Sequence, residues 1–365
     1  MIKPIKITVL PGDGVGPEVC DSAVRLLDCA VEQFGLDFSI EEHSFGGAAI
    51  HKSGTPFPEE TIAAVSNSDA VLLGAVGLPE FETHSPAERP EAGLLKLRTV
   101  LGGFANLRPA KAFESILDGS PLKREVFAGT DLLIVRELLG GLYFGAPREK
   151  NEAHAYNTMS YSKPEIERVA RVAFASARQR GGRICSVDKA NVLETSMLWR
   201  ETVSEVAAAY PDVALEHMYV DACAMKLVTD PKHFDVILTE NMFGDILSDE
   251  AAVLTGSLGM LPSATIGGDV DLYEPIHGSA PDIAGKNLAN PIGAILSVAM
   301  MMRHSFGRED AAAAIEDAVH TTLESGLRTR DLMGGERVVG TIEMTDAIVA
   351  SMHEHASIGH AYHAV

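Results

Sequence analysis

Apolar residues in this chain fall into short continuous runs separated by longer stretches with helical spacing. The first run, Ile5–Leu10, ends at a glycine turn, Gly12, Gly14 and Gly16. From Pro17 onward, Val24, Leu27 and Val31 recur at the intervals of one helix face. Pro17 suits a first helical turn, where a backbone N–H would have no partner anyway. Further runs predict strands at Asp37–Glu42, Asp69–Leu78, Leu132–Val135, Arg183–Val187, Leu215–Val220 and Val236–Leu238. Helices are predicted at Ser162–Gly181, at Val192–Tyr210 and from Asn241 to about Leu254. The stretch from Gly256 to Pro291 is rich in glycine and proline and predicts irregular structure. Helices follow at Ile292–Met302 and Ala311–Ser325. Strands alternating with helices predict an α/β fold with a largely parallel sheet. The tail carries His353, His355, His360 and His363 and reads as a solvated terminus, since nothing fixes their geometry for a metal.

At 365 residues the chain exceeds the roughly 250–300 at which one hydrophobic core stops growing, so two domains are expected. A formal charge of -21 argues against nucleic acid and anionic membrane as partners, because both favour a basic surface. It leaves room for an anionic substrate, since clustered arginines can dominate one cleft. Cys20, Cys29, Cys185 and Cys223 form no C-x-x-C pair and are too few for a disulfide framework, which predicts free thiols. Neither a signal-peptide core nor a bilayer-length apolar stretch is visible, so a cytoplasmic protein is expected.

Gly12-Asp13-Gly14-Val15-Gly16 after a strand invites a dinucleotide-binding reading. Pro17, however, stands where that fingerprint needs its third small residue. The turn is read instead as a tight strand-to-helix connection, whose helix N-terminus can still face an anion.

Three arginines sit on apolar or extended segments. Arg98 closes Leu94-Leu95-Lys96-Leu97, Arg108 precedes Pro109, and Arg136 ends Leu132–Val135. A guanidinium held there needs a partner, because an unpaired buried charge is costly. Each alone suits a structural salt bridge; together they suit a polycarboxylate pocket, since arginine grips carboxylate bidentately. Asp245 and Asp249 share one helix face and repel by roughly 0.2–0.5 kcal/mol. Helix-dipole placement, with Asn241 as N-cap, accounts for Asp245 better than for Asp249. A hard cation such as Mg²⁺ or Mn²⁺ bridging the pair would offset the repulsion. Asp221, where a strand gives way to a helix, is the candidate third ligand.

Lys189 occupies an equivalent strand end. Near a metal and arginines its pKa would fall toward the range a general base needs. Tyr143 reads either as a core tyrosine or as an acid delivering a proton. Glu274–Gly285 is too rich in glycine and proline for helix or strand and is read as a shaped binding loop. Within it His277 alone suits a structural role. Asp282 suits the ribose hydroxyls of NAD, its charge repelling a 2′-phosphate.

Taken together, these segments resemble the β-decarboxylating dehydrogenase family of isocitrate and isopropylmalate dehydrogenases. The resemblance runs from Leu10-Pro11-Gly12-Asp13-Gly14 to Asn290-Pro291 and rests on Phe104–Pro109, Asn241–Asp249 and Glu274–Gly285. It implies a two-domain, three-layer α/β fold distinct from the Rossmann fold. Residues 1–103 plus 257–365 would form an NAD-binding domain, and 104–256 a substrate, metal and dimerisation domain. It also implies a homodimer with shared active sites.

Within the family, the segment before the first arginine reads the substrate's variable group. Glu91, Leu94 and Leu95 look like the isopropylmalate type, with both leucines receiving an isopropyl group and Val192 helping to enclose it. An isocitrate enzyme places serine and asparagine there, and such a polar site rejects an apolar substituent. The resemblance further implies that Arg98, Arg108 and Arg136 hold the malate carboxylates. Asp245 and Asp249 would bind Mg²⁺ or Mn²⁺ together with Asp221 of the partner subunit. The partner's Lys189 would act as base while hydride passes to NAD, and Tyr143 would help protonate the enolate left by decarboxylation. Gly74, Glu274, His277, Gly278, Ser279, Ala280, Asp282, Ile283 and Asn290 would line the NAD site. Asp282-Ile283 matches NAD users, where NADP users tend to carry Lys-Tyr.

The expected activity is oxidative decarboxylation of 3-isopropylmalate in leucine biosynthesis. The alternatives are a sister enzyme acting on D-malate, tartrate, isocitrate or homoisocitrate, and a non-catalytic binding paralogue. A paralogue of that kind should have lost one of Lys189, Tyr143, Asp221, Asp245 or Asp249, and all are present.

Overall fold

A computed structural model describes residues 4–119, 122–252, 256–332 and 334–363, with backbone only at 118–119 and 355–363, and each apolar run noted above becomes a strand. The first part of the chain forms β1 (Ile5–Gly12), α1 (Gly16–Phe34), β2 (Phe38–Glu42), α2 (Gly46–Ser53), α3 (Glu59–Ser66), β3 (Ala70–Ala75) and α4 (Pro90–Leu101). Next come β4 (Ala105–Lys111), α5 (Arg124–Phe127), β5 (Asp131–Glu137), β6 (Arg148–Lys150), β7 (Ala155–Asn157) and α6 (Lys163–Arg178). They are followed by β8 (Arg183–Asp188), α7 (Glu194–Ala207), β9 (Ala214–Tyr219), α8 (Val220–Thr229), β10 (Val236–Thr239) and α9 (Asn241–Ala252). The last part forms β11 (Pro262–Ile266), β12 (Asp271–Pro275), α10 (Ile292–His304), α11 (Glu309–Glu324) and α12 (Thr341–His363).

The chain divides into two units. The first comprises Met1–Gly102, Ser115–Gly119 and Gly256–Val365. Its strands run in the order β2-β1-β3-β12-β11, with only β11 antiparallel to its neighbour in that unit, β12. Leu10, Val71, Leu73 and Leu272 present one face of these strands to Val65, Leu97 and Leu101 of α3 and α4. Neighbouring strand residues point the other way, and α1 and α10 pack on that face. Two helical layers thus sandwich the strands, each fully buried aliphatic side chain contributing about 1.5–3 kcal/mol.

The second unit comprises Gly103–Glu114 and Ser120–Thr255. Its strands run β4-β5-β10-β8-β9, parallel except for β4 against β5. Helix α6 covers β5 and β10 with buried Ile166, Val169, Ala173 and Phe174. Ser162 and Glu165 close its start as a capping box.

One expectation needs correction. The glycine- and proline-rich stretch past Gly256 contains the antiparallel pair β11 and β12, so Glu274-Pro275 end a strand instead of opening a loop. Buried Ala264, Leu272 and Tyr273 supply the apolar face that flanking glycines obscured. The tail histidines lie on a helix, and His353 is exposed on it. Met344, Ile348 and Met352 recur every four residues and are fully buried, and α12 packs on α1 and α11. His353 lies against Cys29 and Gln33. The side chains of His355, His360 and His363, and the helix end expected at Leu254, lie outside the described residues. All four cysteines are buried free thiols. No helix among the described residues is long and apolar enough to cross a membrane.

Candidate functional site

In the second unit, β4 and β5 pair with Asn106 opposite Arg136. Arg136 is buried, 1% exposed, so every donor must find an acceptor. Its Nε and Nη2 donate to Oδ1 of Asn241 at 3.0 and 2.7 Å, and Nη1 donates to Oδ1 of Asp245 at 2.5 Å. Arg108 donates from Nε to Asn106 and from Nη1 to Ser248, both at 2.6 Å. The same Nη1 lies 3.6 Å from Asp245 and 3.9 Å from Asp249. Tyr143 donates its hydroxyl to the other oxygen of Asp245 at 2.7 Å. Two guanidinium groups, two carboxylates one helical turn apart and a phenol therefore meet in one place.

Burial first, and then Asp245, pushes the Tyr143 hydroxyl up to about 12, so it keeps its proton at neutral pH. Burial also raises the Asp249 carboxyl above its usual range; Arg108 opposes this and the like charge of Asp245 adds to it.

Asn241 is not the N-cap of α9. Its side-chain oxygen is taken by the Arg136 guanidinium, and its amide donates to Leu138 and Gly140 carbonyls at 3.0 and 3.1 Å. A buried guanidinium demands an acceptor more strongly than a backbone N–H does. Glu240 accepts from the backbone N–H of Met242 and Phe243 instead, at 3.1 and 2.7 Å. Sequence reasoning missed Glu240, Glu137 and Tyr161. Tyr161 donates to Glu240 at 3.2 Å and accepts from the Asn241 N–H at 3.0 Å. Glu137 accepts from Leu139 and Gly140 N–H groups at 3.0 and 2.9 Å. Both carboxyls are raised by burial. The signal was present, since each glutamate ends an apolar strand as Arg136 does.

Lys189 follows β8, and its Nζ donates to Oδ1 of Asp221. That bond holds the Asp221 carboxyl below its usual range. Val192, on the next turn, is 62% exposed. Among the described residues of this single chain, no three His, Cys, Asp or Glu side chains are placed to hold a metal. Asp221 is therefore not assembled with Asp245 and Asp249 within one chain.

In the first unit, Glu91, Leu94, Leu95 and Arg98 form one stripe of α4. Leu94 packs partly against the core, Leu95 is half-buried and Glu91 is exposed. Buried Arg98 donates from Nη2 to Glu274 at 3.3 Å, while its Nε is buried without a partner. Val15 N–H donates to the Ser279 carbonyl at 2.8 Å. A Cβ on Gly14, which has φ +58, would sit 1.9 Å from that carbonyl. Close packing of the 274–285 segment, not phosphate binding, thus requires this glycine. Asp13, also missed, accepts from the N–H groups of Gly47, Ala48 and Gly77 and ties three loops together. His277 donates from Nδ1 to the Gly278 carbonyl at 2.9 Å, and its Nε2 is buried without a partner. Asp282 is exposed and Ile283 half-exposed. Asn290 is engaged internally, accepting from Ile292 N–H and donating to Asp331, both at 3.0 Å.

A family model described as isocitrate/isopropylmalate dehydrogenase matches residues 6–348. The 3-isopropylmalate dehydrogenase of Moorella thermoacetica is 56% identical over 354 residues, covering 96% of this chain and 99% of that protein. That of Pseudomonas fluorescens is also 56% identical, covering 95% and 98%. Among solved structures, an isocitrate dehydrogenase from Methylococcus capsulatus superposes with a TM-score of 0.84 at 38% identity, covering 95% of this chain and 99% of its own. A β-decarboxylating dehydrogenase from Thermococcus kodakarensis gives 0.79 at 37% identity, covering 97% of each chain.

Proposed function

The chain belongs to the isocitrate/isopropylmalate dehydrogenase family, and on that premise we propose that it converts 3-isopropylmalate to 4-methyl-2-oxopentanoate and CO2 with NAD as hydride acceptor, a step of leucine biosynthesis. The observation that carries this reading is the convergence of Arg108 and Arg136 on Asp245 and Asp249 beside Tyr143. Arg108, Arg136 and Arg98, which keeps an unpartnered Nε, hold the substrate carboxylates. Glu91, Leu94, Leu95 and Val192 select the apolar branch.

Asp245 and Asp249 offer oxygen donors only, which fits Mg²⁺ or Mn²⁺, with Asp221 of the partner subunit as a third ligand. Bound there, such a cation supplies Lewis acidity that lowers the pKa of the substrate's C2 hydroxyl. The partner's Lys189 takes the hydroxyl proton. Tyr143, protonated at neutral pH, returns a proton to the substrate carbon after CO2 leaves.

The unpartnered Nε2 of His277 and the exposed Asp282 fit a dinucleotide. Asp282 takes ribose hydroxyls, while Gly74 of β3, Glu274 of β12 and the loop residues Gly278, Ser279, Ala280, Ile283 and Asn290 line the rest of that site. A homodimer is supported by Met225, Val228 and Ile246, which are 72%, 43% and 59% exposed on the packed helices α8 and α9. Buried free thiols suit a reducing cytoplasm.

The test is NAD reduction with Mg²⁺ on 3-isopropylmalate and on isocitrate. A much faster reaction on 3-isopropylmalate is expected, and the reverse preference overturns the substrate assignment.

A further inference from the structure

Strands β8 and β9 run parallel and end together, with Asp188 opposite Tyr219. The residues just beyond those ends include Lys189 and Asp221. Asp188 is buried, and Arg200 of α7 grips it with two bonds, Nε to Oδ2 at 2.8 Å and Nη2 to Oδ1 at 2.9 Å. Asp188 Oδ1 also accepts the Ala190 N–H at 2.9 Å, which fixes the turn carrying Lys189. The same guanidinium lies over the Tyr219 ring, 5.1 Å from its centroid. Tyr219 is the N-cap residue of α8, whose first turn holds Asp221. One turn before Arg200 on α7, Ser196 accepts the Lys189 backbone N–H at 3.0 Å.

We infer that Arg200 is a positioning residue: by clamping Asp188 and Tyr219 together it sets the spacing of the Lys189 and Asp221 side chains that each subunit supplies to its partner's site. The inference rests on the shared-site reading proposed above. Only a guanidinium suits the task. Its planar fork matches a carboxylate bidentately while its face stacks on the aromatic ring, whereas an ammonium is a point charge that can serve one contact or the other.

The test uses the full-length dimer carrying Arg200→Lys, and a second dimer carrying Asp188→Asn with Arg200→Met, which leaves no buried carboxylate unpaired. At saturating Mn²⁺, kcat on 3-isopropylmalate should fall about 10–100-fold, the usual effect of losing a partner that orients a ligand. KM should stay within about threefold, because the arginines that bind substrate are untouched. Calorimetric titration with Mn²⁺ alone should show weakened binding. Unchanged kcat and Mn²⁺ binding in both dimers, or losses matching the folded fraction, overturn the role of Arg200.

A hybrid dimer separates the two ideas. One chain carries Arg200→Lys and the other Asp245→Asn, so sharing in trans leaves one site wholly intact. Activity above both homodimeric variants supports the inference. Losses in the homodimers without recovery in the hybrid overturn the shared-site reading, and the inference with it.

Discussion

Gly244 precedes Asp245 in α9 and faces the stem of Arg136. A Cβ at this position would lie 2.7 Å from Arg136 Cγ, 2.8 Å from its Cβ and 3.0 Å from Thr239 Cγ2. None of these is the loose end of a side chain, and the Arg136 guanidinium is tied down by Asn241 and Asp245. Gly244→Ala must therefore move either the helix or the arginine. Helix propensity favours alanine by about 1 kcal/mol, while overpacking costs about 1–3 kcal/mol. The expected net effect is a loss of stability of about 0–2 kcal/mol. Substrate binding should suffer more. A charge-assisted bond contributes about 1.5–3 kcal/mol, so losing one raises KM on the order of 10–100-fold. Urea unfolding would measure the first quantity, and steady-state kinetics at saturating NAD and Mg²⁺ the second. A variant stabilised by the full propensity gain, with KM unchanged, would refute the claim that this glycine sets the guanidinium's position.

Three further outcomes are expected. Burial raises the Glu240 carboxyl, so the folded chain keeps a proton that the unfolded chain has already lost; stability should fall as pH rises from the unfolded pKa through the raised one and level off above it. Glu240→Gln should flatten that decline in unfolding measurements at successive pH values, with Glu137, Asp249, Glu250 and Asp271, also raised by burial, contributing to the remainder, and an unaltered slope counts against the assignment. Asp282→Lys combined with Ile283→Tyr should raise the ratio of NADP to NAD efficiency, and a constant ratio contradicts the reading of that loop. Chelation with EDTA should weaken binding of 3-isopropylmalate in calorimetry, whereas an unchanged Kd sinks the assignment of Asp245 and Asp249.

Central strands such as β3 and β10 were legible because parallel strands buried on both faces read as unbroken apolar runs, whereas the edge strands β2 and β9 are half-exposed and mix apolar with polar residues. The pair β11 and β12 was not legible, because the polar Ser263, Thr265 and Glu274 are buried among their apolar neighbours and break the runs, and Gly267, Gly268 and Pro275 interrupt the pattern. In α12 the spacing of Met344, Ile348 and Met352 was visible, yet the histidines drew attention to the polar side. For the site, one rule did most: a charge at the end of an apolar strand must have a partner. It found Arg136 and Arg108, and applied to acids it would have found Glu137 and Glu240. Asn241 defeated a local rule, since its preference for capping lost to Arg136, 105 residues away in sequence. Asp13 left no signal at all, because the loops it joins are distant in sequence and are set by tertiary packing.

A formal charge of -21 is a poor start for capturing a dicarboxylate. Locally, Arg108 and Arg136 face Asp245 and Asp249, two positive groups against two negative, so the cluster is formally neutral. An entering dianion would gain from the arginines and lose to the aspartates, each interaction being worth about 4 kcal/mol at 4 Å in surroundings of intermediate polarity. The aspartates cannot simply be dispensed with, because Asp245 is an ion-pair partner of a guanidinium that is almost wholly buried, and stranding that charge is costly. A divalent cation held by the pair would turn the cluster dipositive. Attraction for substrate then depends on the ion, while the fixed forks of the two arginines decide which carboxylate oxygens are held and how the reacting carbon is turned.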